Sequence, residues 1–137
     1  MRVLVVDDNP IMRSGLSAML RRIGEVTDVI EAPDAEKALA TLAAKDPPVD
    51  LVFLDIRLPG MDGLTALQHI QDTPVVMLTG TDDAESIRTA LERGAKGFLV
   101  NGDFTATDLE TAVRQCPRGQ IVLSPLAAER VREQPAG

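Results

Sequence analysis

The chain has 137 residues, 45% of them hydrophobic, which is one domain's worth and enough to close a single core. Fourteen basic against twenty-one acidic residues leave a net charge of −7, which argues against a phosphate-backbone footprint, so no direct nucleic-acid binding is expected. The single Cys116 excludes an internal disulfide, and with no leader-type N-terminus and no apolar run near the roughly 20 residues of a membrane span, a cytoplasmic, non-membrane chain is expected.

The chain opens on a strand-length apolar run, RVLVV (2–6), followed by Asp7-Asp8. Asn9-Pro10 is an N-cap with proline at the first helical position, which predicts a helix to about Ile23 with Ile11, Leu16, Met19, Leu20 and Ile23 inward. VTDVI (26–30) is a second strand ending near Glu31-Ala32, and Asp34 caps a second helix, DAEKALATLAA. DLVFL (50–54) leads to Asp55, and a short third helix is expected from Gly63 to about Ile70. PVVML (74–78) leads to Thr79-Gly80. Asp82 and Glu85 form a capping-box-like start to a fourth helix that stops at Gly94. GFLV (97–100) is the fifth strand and ends at Asn101. Thr105 and Asp108 cap a fifth helix, which Pro117 terminates.

Most of these runs are apolar throughout instead of alternating, as strands covered on both faces must be. Five such strands alternating with five helices predict an α/β fold, a doubly wound (βα)5 sandwich around a parallel five-stranded sheet with right-handed crossovers. Ligands of such sheets sit at the carboxyl ends of the strands. That rim carries Asp7, Asp8, Asp55, Thr79, Gly80 and Asn101. Three converging carboxylates raise one another's pKa unless a cation neutralises them, and a hard divalent ion such as Mg²⁺ suits that donor set. A single aspartate after a strand is ordinarily a turn or cap residue. It is the conjunction of an acidic pair, a lone Asp and a Thr-Gly on one rim that points to chemistry.

The motifs VLVVDDNPI, LVFLDIRLPGMDGL, VVMLTGTDDAES and GAKGFLV resemble the receiver domain of two-component response regulators, over Arg2 to about Leu123. VIEAPDAEKAL and QIVLSPLAAE are most similar to receivers of the NarL/LuxR type. The resemblance implies a flavodoxin-like strand order 2-1-3-4-5, with a receiver over 1–123 and a tail or linker start over 124–137. It also implies that Asp55 is the phosphoacceptor for a sensor histidine kinase. Asp8, Asp55 and the Arg57 backbone carbonyl would hold Mg²⁺, with Asp7 acting through water. Thr79 and Phe98 would be switch residues, and Gly80 would leave room for the donor. A transcriptional output through a domain beyond this chain and a homodimer are implied in the same way. Receivers are signalling phosphoacceptors and not enzymes in the usual sense.

The chain departs from this pattern at Asn101, where such domains carry a lysine. Lys96 is no substitute, since five strand residues at roughly 3.3 Å each place it about 16 Å toward the opposite end. With three carboxylates and a divalent ion the pocket carries about −1, and a phosphoryl group adding about −2 brings it to about −3. The phosphorylated state is therefore expected to be weakly stabilised and weakly coupled to Thr79 and Phe98. An atypical receiver that dimerises or docks partners without phosphorylation is the competing reading. A dehalogenase-type phosphohydrolase needs Asp-x-Asp after the first strand, and this chain has Asp7-Asp8-Asn9.

The separation of Asp55 and Thr79, 24 positions, is short for such domains and predicts a trimmed third helix or following loop. Arg57 either overhangs the pocket, supplying positive charge, or is a solvated loop residue. His69 reads as a surface residue, Cys116 as a packing residue, and Met12, Met19, Met61 and Met77 as core or loop fillers.

Overall fold

The computed structural model describes residues 1–133; the last four residues of the 124–137 tail lie outside the described residues. Twelve named elements follow in chain order. They are β1 (Arg2–Val6), α1 (Pro10–Arg21), β2 (Asp28–Ala32), α2 (Ala35–Ala44), β3 (Leu51–Leu54), α3 (Gly63–Leu67), β4 (Val75–Thr79), α4 (Ala84–Glu92), β5 (Gly97–Val100), α5 (Ala106–Gln115), β6 (Val122–Leu123) and α6 (Pro125–Arg132). A 3₁₀ turn at Cys116–Arg118 follows α5 at Pro117.

All pairings in the sheet are parallel, and its order is β2-β1-β3-β4-β5-β6. The five expected strands take the expected order, and a sixth extends the sheet. This two-residue edge strand pairs Val122 with Gly97 and Leu123 with Phe98. Strand two starts two residues later than the VTDVI run suggests, at Asp28.

The period of two along each strand divides the core into two layers. Leu4, Val6, Val52, Leu54, Met77, Phe98 and Val100 face α2, α3 and α4, with Ala127 of α6 in the same cluster. Val3, Val5, Leu51, Phe53, Val76, Leu78 and Leu99 face α1 and α5. Every residue of β3, β4 and β5 is buried, which explains why those runs carry no polar alternation.

The helix starts follow local capping chemistry. The Asn9 side chain accepts from the Ile11 and Met12 N–H groups, and the Asp34 side chain accepts from that of Lys37. Thr105 and Asp108 form the reciprocal capping box of α5. At α4 the cap is Asp83, not Asp82, because the Asp83 carboxylate accepts from the Ser86 N–H. Helix α3 ends at Leu67, three residues before the expected Ile70. Two expected inward residues of α1 point out: Ile11 is 81% exposed and Met19 38%, while Leu20 is buried. Met12 is likewise exposed, whereas Met77 lies in the core. Ile11 sits in the first turn, directly after Pro10.

Candidate functional site

The strand order reverses at β1, which has β2 on one side and β3 on the other. A crevice at that point lies between the carboxyl ends of β1 and β3. Asp7 and Asp8 leave β1 and Asp55 leaves β3, in strands whose register pairs Val6 with Leu54. One ligand atom from each of these three carboxylates lies within 4.8 Å of the other two. Hard divalent cations take oxygen donors at such spacing, so the residues present fit Mg²⁺.

The three carboxylates are not equivalent. Asp7 is buried, Asp8 is exposed and Asp55 is intermediate. Burial pushes the Asp7 carboxyl above its ordinary range, opposed by the Asn9 N–H and reinforced by the charges of Asp55 and Asp8. Its Oδ1 accepts from the Asn9 backbone at 2.9 Å. Arg13 steadies the same turn from α1: its Nη1 donates to the Asp7 carbonyl at 2.7 Å and its Nε to Glu31 Oε1 at 3.1 Å. Strand two, which offers no reactive group, thus contributes through Glu31 and Arg13. That pairing joins residues 18 positions apart, and no local sequence pattern reveals it.

Asp55 is followed by a tight loop. Its Oδ1 accepts from the Arg57 N–H at 3.3 Å, and the Gly63 N–H donates to the Ile56 carbonyl at 2.7 Å. A side-chain carbon at Gly63 would lie 2.0 Å from the Asp55 carbonyl oxygen, so this glycine is required by close approach. Arg57 is exposed, and its charge is among the lesser causes that hold Asp83 below the usual carboxylate range, after the Ser86 backbone bond.

From β4, Thr79 is buried, and its hydroxyl oxygen accepts from the Thr81 N–H at 3.3 Å. Gly80 has open space where a Cβ would stand. The Thr81 hydroxyl is itself buried with no partner among the described residues, a feature that carries no local sequence signal. Asn101 is joined to β4 through its N–H to the Thr79 carbonyl, 2.8 Å. Residues Val100 to Asp103 form a β-turn, closed by the Asp103 N–H on the Val100 carbonyl at 2.9 Å. Gly102 takes φ +81° at its third position, which explains the Asn-Gly pair without a hairpin. Phe98 is fully buried in the α2–α4 layer.

Lys96 precedes β5, at the sheet end opposite the carboxylates, where its carbonyl accepts from the Cys116 thiol at 3.2 Å. Burial pushes that thiol up to about 11, in keeping with a packing role. His69 is exposed. No helix among the described residues is long and apolar enough to cross a membrane.

A parallel sheet with three carboxylates at its switch point and a buried threonine on the neighbouring strand defines a receiver-type site. The family described as "Response regulator receiver domain" matches residues 3–114, and the chain belongs to that family. It is 33% identical over 126 residues to the nitrate/nitrite response regulator protein NarL of Escherichia coli K12, covering 89% of this chain and 57% of that protein. Among solved structures, a LuxR-family response regulator from Aurantimonas matches with TM-score 0.86 at 28% identity, over 95% of this chain and 94% of that one. The signal receiver domain of NarL from Mycobacterium tuberculosis matches with TM-score 0.78 at 36% identity, over 87% and 97%. The chain is therefore a receiver domain of the NarL/LuxR type, spanning somewhat over half the length of the curated NarL relatives.

Proposed function

We propose that Asp55 accepts a phosphoryl group from a phosphohistidine on a sensor histidine kinase. A carboxylate oxygen of Asp55 forms the new bond to phosphorus as the nitrogen–phosphorus bond breaks and the imidazole departs. The observation that carries this reading is the convergence of Asp7, Asp8 and Asp55 within 4.8 Å at the switch point. Mg²⁺ would be held by Asp8, Asp55 and the Arg57 carbonyl, with Asp7 holding a water ligand. When bound, it supplies neutralisation of the phosphoryl oxygens and helps to align them.

The remaining work falls to the chain. The Asn9 N–H and Arg13 fix the Asp7 turn, so that the acidic pair is oriented before a donor arrives. The Thr79 hydroxyl, free to exchange its bond from the Thr81 N–H, donates to a phosphoryl oxygen. Gly80 leaves the donor's approach open. Asn101 offers an amide donor where a lysine would offer a charge, which recovers only part of a charged hydrogen bond worth roughly 1.5–3 kcal/mol. A transcriptional output, through a DNA-binding domain beyond this chain, and a homodimer belong to the same proposal.

Asn101 also favours a second reading, a phosphorylation-independent docking or dimerisation module. Titration with beryllofluoride and Mg²⁺, followed by backbone amide spectra, separates the two. The acceptor reading expects saturable shifts at Thr79 to Thr81 and at Asn101 to Asp103. An unchanged spectrum at saturating Mg²⁺ leaves the docking module.

A further inference from the structure

Strand β2 brings no reactive group to the crevice, yet its last two residues hold both backbone groups of Asp7. The Ala32 carbonyl accepts from the Asp7 N–H at 3.2 Å. Glu31 reaches the Asp7 carbonyl through Arg13, whose Nε donates to Glu31 Oε1 at 3.1 Å and whose Nη1 donates to that carbonyl at 2.7 Å. The Arg13 and Glu31 side chains are only 19% and 34% exposed, so solvent and salt screen the pair weakly. The carbonyl matters because a peptide unit is planar from one Cα to the next. A bond that fixes the Asp7 carbonyl fixes the plane running on to the Asp8 Cα. It therefore constrains how both aspartates are turned toward Asp55.

Arg13 is also a cation close to three carboxylates, and a guanidinium paired with their oxygens would compete with a metal ion for them. Among the described residues its ion pair is with Glu31, and no ion pair reaches Asp7, Asp8 or Asp55. Burial is the largest influence on the Asp7 carboxyl, and the Arg13 charge is the smallest of those acting on it. The guanidinium thus grips the backbone of the turn and leaves the acid oxygens open. We propose that Glu31, acting through Arg13, is a positioning residue for the metal site: it keeps the guanidinium on the Asp7 carbonyl and so sets the acidic pair for Mg²⁺. The proposal rests on the Mg²⁺ reading of the crevice. Charge alone and positioning predict opposite signs. On charge alone, Arg13→Met removes a repelling cation and tightens Mg²⁺, Glu31→Gln weakens it, and the double variant returns to wild type. With positioning, both single variants weaken Mg²⁺, and the double variant is about as weak as Arg13→Met, because the two residues act as one arrangement.

The test is a Mg²⁺ titration of the full 137-residue chain, followed by backbone amide shifts at residues 7–9 and 55–57. Wild type, Arg13→Met, Glu31→Gln and the double variant are each titrated well below their own Tm, measured by circular dichroism, so that global unfolding does not enter. The expected result is a Kd raised about tenfold or more in Arg13→Met, the lower end of the loss when a group that orients a metal ligand is removed. Glu31→Gln should also bind more weakly, and the double variant should lie within about twofold of Arg13→Met. If Arg13→Met fails to fold, Arg13→Gln carries the same test of sign. Unchanged or tighter Mg²⁺ binding in the Arg13 variant overturns the positioning role and leaves the metal reading standing. A double variant that returns to wild-type affinity overturns it as well. If wild type itself shows no saturable Mg²⁺ shifts, both fall.

Discussion

Replacing Gly63 with alanine sets the backbone of the acceptor loop against itself. The added Cβ would stand 2.0 Å from the Asp55 carbonyl oxygen and 2.8 Å from both the Asp55 carbonyl carbon and the Ile56 Cα. Non-bonded contacts to a Cβ essentially never fall below 3.0 Å, so α3 and the loop must part by at least 1.0 Å (3.0 minus 2.0). The obstacles are backbone atoms, which have no rotamer to escape into. Parting them also stretches the 2.7 Å bond from the Gly63 N–H to the Ile56 carbonyl. Overpacking of this kind and a weakened buried hydrogen bond together cost roughly 2–4 kcal/mol. For a domain of this size that is a fall of roughly 8–15 °C in Tm. A displacement of about 1 Å at the nucleophile can lower the rate of phosphoryl transfer by roughly 10²-fold. Thermal unfolding by circular dichroism checks the first figure, and phosphorylation by acetyl phosphate the second. Gly15→Ala is the matched control: it lies on α1 with no atom near the new Cβ, and should stabilise by roughly 0.5–1 kcal/mol. A Gly63→Ala protein with wild-type Tm and wild-type phosphorylation would refute the close-approach argument.

Asn101→Lys restores the missing charge and should tighten beryllofluoride binding roughly 10- to 100-fold, from the energy of a charged hydrogen bond; unchanged affinity in a fluorescence or amide-shift titration counts against the placement of Asn101 at the pocket. Cys116 gives a pH signature. Its thiol is raised from 9.0 to about 11 by burial, so the folded state favours the protonated form; that stabilisation is full below pH 9 and is lost as pH rises through 11. Urea unfolding of wild type and Cys116→Ala should therefore converge by up to roughly 2–3 kcal/mol between those limits, and parallel curves would contradict the burial argument. Thr105→Ala removes one half of the α5 capping box and should cost about 1 kcal/mol in the same assay.

Much of this architecture was legible in local chemistry. Strands β3, β4 and β5 announce themselves because burial on both faces leaves no place for a polar residue, and Asn9, Asp34 and Thr105 mark helix starts because their side chains bond the next few N–H groups. The acidic rim followed from the same layout, since the carboxyl ends of β1 and β3 must meet where the order reverses. Less legible were features settled over long distance. Strand β6 is two residues at an edge, too short for a period to show, and α6 (Pro125–Arg132) forms where only a tail or linker start was expected, although Ser124-Pro125 repeats the Asn9-Pro10 pattern. The bond from the Leu126 N–H to the Asp103 carboxylate and the Arg13 bridge join residues far apart in sequence. Asp82 and Asp83 compete for one cap position, and only backbone geometry selects Asp83. The outward turn of Ile11 and Met19 shows the limit of periodicity: it marks an apolar stripe but not how much of its width is covered, since Met19 is exposed beside a fully buried Leu20.

The central claim is that Asp55 is the phosphoacceptor of the acidic crevice. Intact-mass measurement of wild type and Asp55→Asn after incubation with acetyl phosphate tests it most directly, with Mg²⁺ present and with it chelated. The account predicts a gain of one phosphoryl group in wild type with Mg²⁺, little or none when the metal is chelated, and none in Asp55→Asn. No gain in wild type, or an equal gain in Asp55→Asn, would contradict it.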